Sequence, residues 1–274
     1  MESCGFRREL VNAKRVVVKV GTSTLTYENG KMNFSKIDKL VRVLADLINQ
    51  DKEIILVTSG AVGIGVSKLK LESKPKRTRE KQAVAAVGQC ELMNIYGKFF
   101  SDYGHIVGQI LLTKDVTSNI ESKQNVVNTF ETLLEKGIVP IVNENDSVAV
   151  DELENGINRV FGDNDTLSAI VSELVNADLL IILSDIDGLY NCDPRENSCS
   201  KLISTVENIT PEVESCAGGV GTKRGTGGMF TKMSAAKIAV SEGINLVIAN
   251  GKNPRIISDI LKGKNVGTLF VRQK

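Results

Sequence analysis

The chain has 274 residues, 42% hydrophobic and 24% charged, enough to bury a sizeable core as one large domain or two small ones. Its 34 Lys and Arg against 33 Asp and Glu give a formal net charge of +1, so no global field gathers nucleic acid or an anionic membrane, and small-molecule partners are expected. The N-terminus MESCGFRRELVNAKR has no apolar leader, and the longest aliphatic run, LLIIL at 179–183, is far too short to span a bilayer; a cytoplasmic location is expected.

RVVVKV (15–20) reads as a buried strand. SKIDKLVRVLADLINQ then places Ile37, Leu40, Val41, Leu44, Leu47 and Ile48 on one helical face. EIILVT is a second strand, a helix runs from about Arg79 to Phe100, and HIVGQILLT is a third strand. ESKQNVVNTFETLLEKG is a helix ending at Gly137. IVPIVNEND, DLLIILSD, NLVIAN and TLFV read as strands, with TLSAIVSELVNA, MFTKMSAAKIAVSEG and PRIISDILKG as the intervening helices. Such alternation predicts an α/β fold with a mostly parallel sheet and helices on both faces. Ligands of such sheets sit at the carboxyl ends of the strands.

Polar residues gather at those ends. The first strand runs into Lys19-Val20-Gly21-Thr22-Ser23, the second into Thr58-Ser59-Gly60-Ala61, a later one into Asn143-Glu144-Asn145-Asp146, and another into Ser184-Asp185. Turn and capping chemistry favours the same residue types and explains part of the pattern. It does not explain Lys19, a cation inside an aliphatic strand, where an unpaired ammonium is costly to bury and a phosphate would offset it. Next, FGDNDTLSA crowds Asp163, Asn164 and Asp165 at a helix start. Capping accounts for one of these acids, and their mutual repulsion would raise both pKa values unless cations stand near. GTGGMFTK, residues 225–232, sets three glycines ahead of a helix, which suits either a hinge or a phosphate-binding loop. The single histidine, His105, and five scattered cysteines form no metal or redox motif; His105 reads as an incidental strand-end residue.

In this order, VVVKVGTSTLT, VTSGAVGIG, AAVGQ, NENDSVAVDE, GDNDTLSA, SDIDGLYNCDPR, GTGGMFTKMSAAKIA and VGTLF resemble the amino-acid kinase family, and within it the glutamate 5-kinase branch. The likeness runs from about residue 14 to residue 271. It implies a three-layer αβα sandwich forming a single domain over 1–274, with an acceptor lobe to about residue 175 and a nucleotide lobe beyond. It also implies transfer of the γ-phosphoryl of ATP to the side-chain carboxylate of L-glutamate, the first step towards proline. By resemblance, Lys19, Lys232 and Asp165 are the catalytic residues, with Asp165 holding both ammonium groups. Ser59, Asp146 and Asn164 match the glutamate-binding positions. Lys19, Gly21, Ser184, Asp185, Thr226, Gly227, Gly228, Met229, Phe230, Thr231 and Lys232 match the ATP-binding ones. Mg²⁺ is expected through the nucleotide phosphates without a protein cage. L-proline is expected as a feedback inhibitor, and a homo-oligomer, dimer or tetramer, as the assembly.

Many relatives continue past VGTLF into a small PUA domain, so a form lacking it is expected here. VDELENGINRVF, 150–161, reads as an exposed hairpin or as a flap over the amino-acid site. KLKLESKPKRTREK, 68–81, with seven cations against two acids, reads as a solvated loop, an oligomer contact or an entry patch for anionic substrate. Two rival functions share these residues: a kinase of another small acid such as acetylglutamate or aspartate, and a nucleotide-binding sensor without turnover.

Overall fold

A computed structural model describes residues 3–27, 30–113, 119–148, 164–194, 199–217 and 228–273, with side chains from residue 5 onward. The first elements are α1 (Ser3–Glu9), a 3₁₀ turn at Leu10–Asn12, β1 (Arg15–Val20), α2 (Thr22–Leu25), α3 (Phe34–Ile48), β2 (Glu53–Val57), α4 (Ala61–Lys68), α5 (Thr78–Asp102) and β3 (Val107–Leu112). There follow α6 (Ile120–Glu135), β4 (Val139–Glu144), α7 (Asn164–Leu174), β5 (Leu179–Ser184), β6 (Thr205–Val206) and α8 (Pro211–Cys216). The last are α9 (Met229–Ser241), β7 (Asn245–Asn250), α10 (Ile256–Leu261) and β8 (Thr268–Phe270).

The eight strands among the described residues form one sheet in the order β3-β4-β2-β1-β5-β7-β8-β6. Every pairing is parallel except β7 with β8, where Leu246 faces Phe270. The central strands are continuous apolar runs because both faces are covered. Alternation along β1 divides its side chains between two cores: Val16, Val18 and Val20 join Leu40, Leu44, Tyr96, Phe100 and Ile257 on one face. Val17 joins Phe130, Leu167, Val171, Ala236 and Ala239 on the other. By the same alternation Lys19 falls on the second face, the side covered by α7 and α9. That is the three-layer α/β sandwich the sequence predicts.

The helix α4 adds something that periodicity does not reveal. A Cβ at Gly65 would overlap the Val84 carbonyl, and one at Gly88 would overlap the Ala61 carbonyl, so α4 and α5 touch backbone to backbone. The glycine of AAVGQ is therefore a packing residue that fixes where α4 begins. At the chain's start, the buried Arg7 in α1 donates to the backbone carbonyls of Ser204 at 2.6 Å, Val266 at 2.8 Å, Gly267 at 3.0 Å and Lys264 at 3.2 Å. Burial lowers the pKa of this guanidinium.

Candidate active site

Three charged side chains from three separate elements meet at the carboxyl end of the sheet. Nζ of Lys19 lies 2.5 Å from Oδ1 of Asp165, and Nζ of Lys232 lies 3.0 Å from Oδ2 of the same carboxylate. All three residues are buried, at 6%, 1% and 7% exposure for Lys19, Asp165 and Lys232. Lys19 arrives from the last turnward positions of β1, Asp165 from the first turn of α7, and Lys232 from the first turn of α9. A carboxylate suits the positive end of the α7 dipole, and Leu167, Ile170 and Val171 of α7 pack with Met233, Ala236 and Ala239 of α9 to set the two helix starts side by side. The Thr231 hydroxyl also lies 2.9 Å from Asp165 Oδ2 and 2.9 Å from the Gly228 carbonyl, tying the start of α9 to the carboxylate.

Burial pushes the Asp165 carboxyl up, but the ammonium groups of Lys19 and Lys232 outweigh that and hold it below the usual carboxylate range. Among the described residues the cluster therefore holds two cations and one anion, a net positive locus with almost no access to water. An excess cation in such a place is stabilised by an arriving anion. The glycines beside it leave room: a Cβ at Gly21 would stand 3.8 Å from the Lys19 ammonium, and a Cβ at Gly228, which precedes α9, would meet nothing within 4 Å among the described residues. These features fit the phosphates of a nucleotide. Ser184 ends β5 with its hydroxyl donating to Asp185 at 3.1 Å, on the neighbouring strand to β1. Met229 is half-buried against the second core and Phe230 is exposed. Thr226, Gly227, Asp163 and the 150–161 segment lie outside the described residues.

Next to the cluster is a polar cavity of about 220 Å³, lined by Thr22, Gly60, Ala61, Val62, Gly63, Lys74, Asn143, Glu144, Asp146 and Asn164. Its wall is built on a buried chain of amides. Asn164 Nδ2 donates to the Thr58 carbonyl at 2.6 Å and to Asn143 Oδ1 at 3.1 Å, and Asn143 Nδ2 donates to Gln89 Oε1 at 2.8 Å. Thr58 in turn is 3.0 Å, hydroxyl to hydroxyl, from Tyr96. Asn164 and Asp165 are adjacent, so the amide wall and the charged cluster share the start of α7. Ser59 does not line the cavity; its hydroxyl donates to the Val20 carbonyl at 3.2 Å and is 3.4 Å from that of Thr22, while the next residue, Gly60, does line it. His105 precedes β3, at the opposite end of the sheet from this site. Among the described residues, no group of three or more His, Cys, Asp or Glu side chains is placed to hold a metal.

Residues 14–250 match the sequence model of the amino acid kinase family. The chain belongs to this family. This amino acid kinase is 63% identical to a glutamate 5-kinase of Clostridium perfringens over 269 residues, covering 98% of the chain and 99% of that relative. It is 56% identical to a glutamate 5-kinase of Listeria innocua, covering 98% of the chain and 97% of the relative. Among solved structures, its fold is like that of a carbamate kinase from Giardia lamblia bound to AMP-PNP, at a TM-score of 0.67 and 14% identity, covering 96% of the chain and 100% of that structure. A UMP kinase from Bacillus anthracis follows at 0.63 and 15%, covering 96% and 97%. These two likenesses carry the fold alone.

The structure brings together Lys19, Asp165 and Lys232, which the sequence singles out, whereas much of the cavity wall is not singled out there. Thr22, Asn143 and Glu144 appear only as turn residues at strand ends, and Gln89 only as a letter of AAVGQ. The signal for Gln89 is an amide on an otherwise apolar helix face, since Leu92 and Tyr96 flank it in the buried set of α5. Lys74 belonged to a basic run without individual distinction.

Proposed function

We propose that this amino acid kinase transfers the γ-phosphoryl of ATP to the side-chain carboxylate of L-glutamate, giving L-glutamyl 5-phosphate, the first step of proline biosynthesis. The observation that carries the reading is the buried Lys19–Asp165–Lys232 cluster beside a small polar cavity. The near full-length identity to chains named glutamate 5-kinase supports the acceptor.

A carboxylate of pKa about 4.3 is already ionised at neutral pH, so the nucleophile needs no base. One of its oxygens bonds to the γ-phosphorus while the bond from that phosphorus to the β–γ bridging oxygen breaks, and ADP departs with the electron pair. No proton has to move. What the reaction requires is positioning and cations around the transferring group. Lys19 and Lys232 supply those charges, and Asp165 holds them at fixed positions. Gly21, Ser184, Asp185 and the segment from Thr226 to Lys232 take the nucleotide, whereas Asp146 and Asn164 take the acceptor in the cavity, with Ser59 beside it next to the lining residue Gly60. The acceptor lobe, to about residue 175, reaches the nucleotide through Lys19 and Gly21, and the nucleotide lobe follows it within one domain. Mg²⁺ accompanying the nucleotide would neutralise phosphate charge and so reduce the repulsion that the anionic acceptor meets, beside the charges of Lys19 and Lys232.

No helix among the described residues is long and apolar enough to cross a membrane. A cytoplasmic setting, a homo-oligomeric assembly and inhibition by L-proline are part of the same proposal and rest on the family likeness. The test is acceptor-dependent ADP release with L-glutamate, N-acetyl-L-glutamate and L-aspartate. Turnover with L-glutamate alone is expected; turnover with another acid alone, or with none, would overturn the reading.

A further inference from the structure

The acceptor presents more charge than its reacting end. Besides the side-chain carboxylate, L-glutamate carries an α-ammonium and an α-carboxylate at neutral pH. The side-chain carboxylate must face the Lys19–Asp165–Lys232 cluster, which leaves the other two groups to the cavity wall. Glu144 and Asp146 both line that wall and suit the ammonium, while repelling a carboxylate.

The amides offer the carboxylate little. An asparagine NH₂ has two hydrogens, and Asn164 gives one to the Thr58 carbonyl and one to Asn143. Its remaining capacity is its carbonyl oxygen, which accepts from an ammonium and has nothing to donate. Asn143 commits one amide hydrogen to Gln89 and its oxygen to Asn164. The start of α4 at Gly60 has no side-chain cap, but a helix terminus supplies only a partial charge. Among the described residues lining the cavity, Lys74 is the one cationic side chain. It sits in the segment between α4 and α5.

We infer that Lys74 is a substrate-binding residue that pairs with the α-carboxylate of the acceptor and selects for free α-amino acids. This inference rests on the glutamate-acceptor reading. It gives the basic run at 68–81 a specific function at one position: Lys68 instead pairs with Glu91 at 2.9 Å on the helices themselves. It also assigns the wall two kinds of partner, with Asp146 and the Asn164 carbonyl for the ammonium and Lys74 for the α-carboxylate.

The experiment compares L-glutamate with its α-amide, L-isoglutamine, which keeps the reacting carboxylate and the ammonium but lacks the α-carboxylate. For Lys74→Met the KM for L-glutamate should rise about tenfold, the equivalent of about 1.4 kcal/mol, while the KM for L-isoglutamine and the KM for ATP stay within about twofold. The preference of the wild type for L-glutamate over the amide should shrink by the same factor, and Lys74→Arg should retain most of it. Because Lys74 is exposed, the Met variant should keep the melting temperature of the parent. An equal rise for both acceptors, or no rise for either, would overturn the inference while leaving the kinase reading standing. A wild type that phosphorylates neither would remove the acceptor reading, and the inference with it.

Discussion

Asn164 donates an amide hydrogen to the side-chain oxygen of Asn143 at 3.1 Å, so the wall of the acceptor cavity is held by a contact between two residues of unrelated elements, α7 and β4. The contact is buttressed from behind by Gln89 in α5, whose oxygen receives the Asn143 amide. Each amide is thereby kept in one orientation.

Gln89 is not among the residues lining the acceptor cavity and acts through Asn143. Gln89→Leu should therefore raise the KM for L-glutamate several-fold without changing the KM for ATP. Leaving the buried Asn143 amide short of a partner should also cost about 1–3 kcal/mol of stability. Steady-state kinetics and thermal melting read the two effects separately; a lower melting temperature with an unchanged KM would reduce Gln89 to a structural residue.

Asp165 touches the two lysines and supplies the charge that positions them. Asp165→Asn keeps its shape and should lower kcat by roughly two to three decades, the scale of other preorganised electrostatic groups. Near-normal kcat in this variant would refute the organising role and return the acid to helix capping.

The same carboxylate makes a pH prediction. Its folded pKa is depressed, so its stabilisation is complete above the unfolded value of about 3.9 and is lost as pH falls through the lower folded value. The melting-temperature gap between wild type and Asp165→Asn should be constant from neutrality to about pH 5 and close progressively below about pH 4. Melting scans across that range decide it; a gap that widens with acid would have the wrong sign.

Asp146 lines the cavity and is assigned to the acceptor ammonium. Asp146→Ala should mainly raise the KM for L-glutamate and leave that for ATP nearly unchanged. A matching rise in the KM for ATP would move Asp146 out of the acceptor site. L-Proline, which carries an α-carboxylate and a secondary ring ammonium in place of the primary one, should raise the apparent KM for glutamate in the wild type, and unchanged kinetics at saturating proline would remove that expectation.

The metal should enter with the nucleotide. Turnover should stop in excess EDTA and return with Mg²⁺ or Mn²⁺, while calorimetric titration of the protein alone with Mg²⁺ should show only weak binding. Full activity in EDTA would contradict it.

How far the sequence could be read follows from the size of each signal. The long apolar runs and amphipathic helices predict β1 to β5, α3, α5, α6, α7, α9 and β7 to within about two residues at most ends, because burial on two faces leaves no other pattern. The short pieces escape: α2 spans Thr22–Leu25, β6 only Thr205–Val206, and α4 carries two glycines that argue against a helix. Parallel or antiparallel direction is not written in TLFV, so the reversal of β8 against β7 emerges only from the fold. At the site, Lys19 is conspicuous because a cation in a buried strand demands a partner, and Asp165 because two acids share one helix start. Lys74 and Gln89 are not, since an exposed lysine and a helical glutamine are ordinary until the surrounding wall is assembled.

Arg7 ties together parts of the chain that are distant in sequence. Its four acceptors are backbone carbonyls of Ser204, Lys264, Val266 and Gly267, three of them 257 to 260 positions downstream, so this set of hydrogen bonds is complete only when the segment leading into β8 is in place. A guanidinium that spends its donors on backbone carbonyls reads the course of the main chain rather than its side chains, so substitutions at these four positions leave the clasp intact as long as the backbone keeps its path.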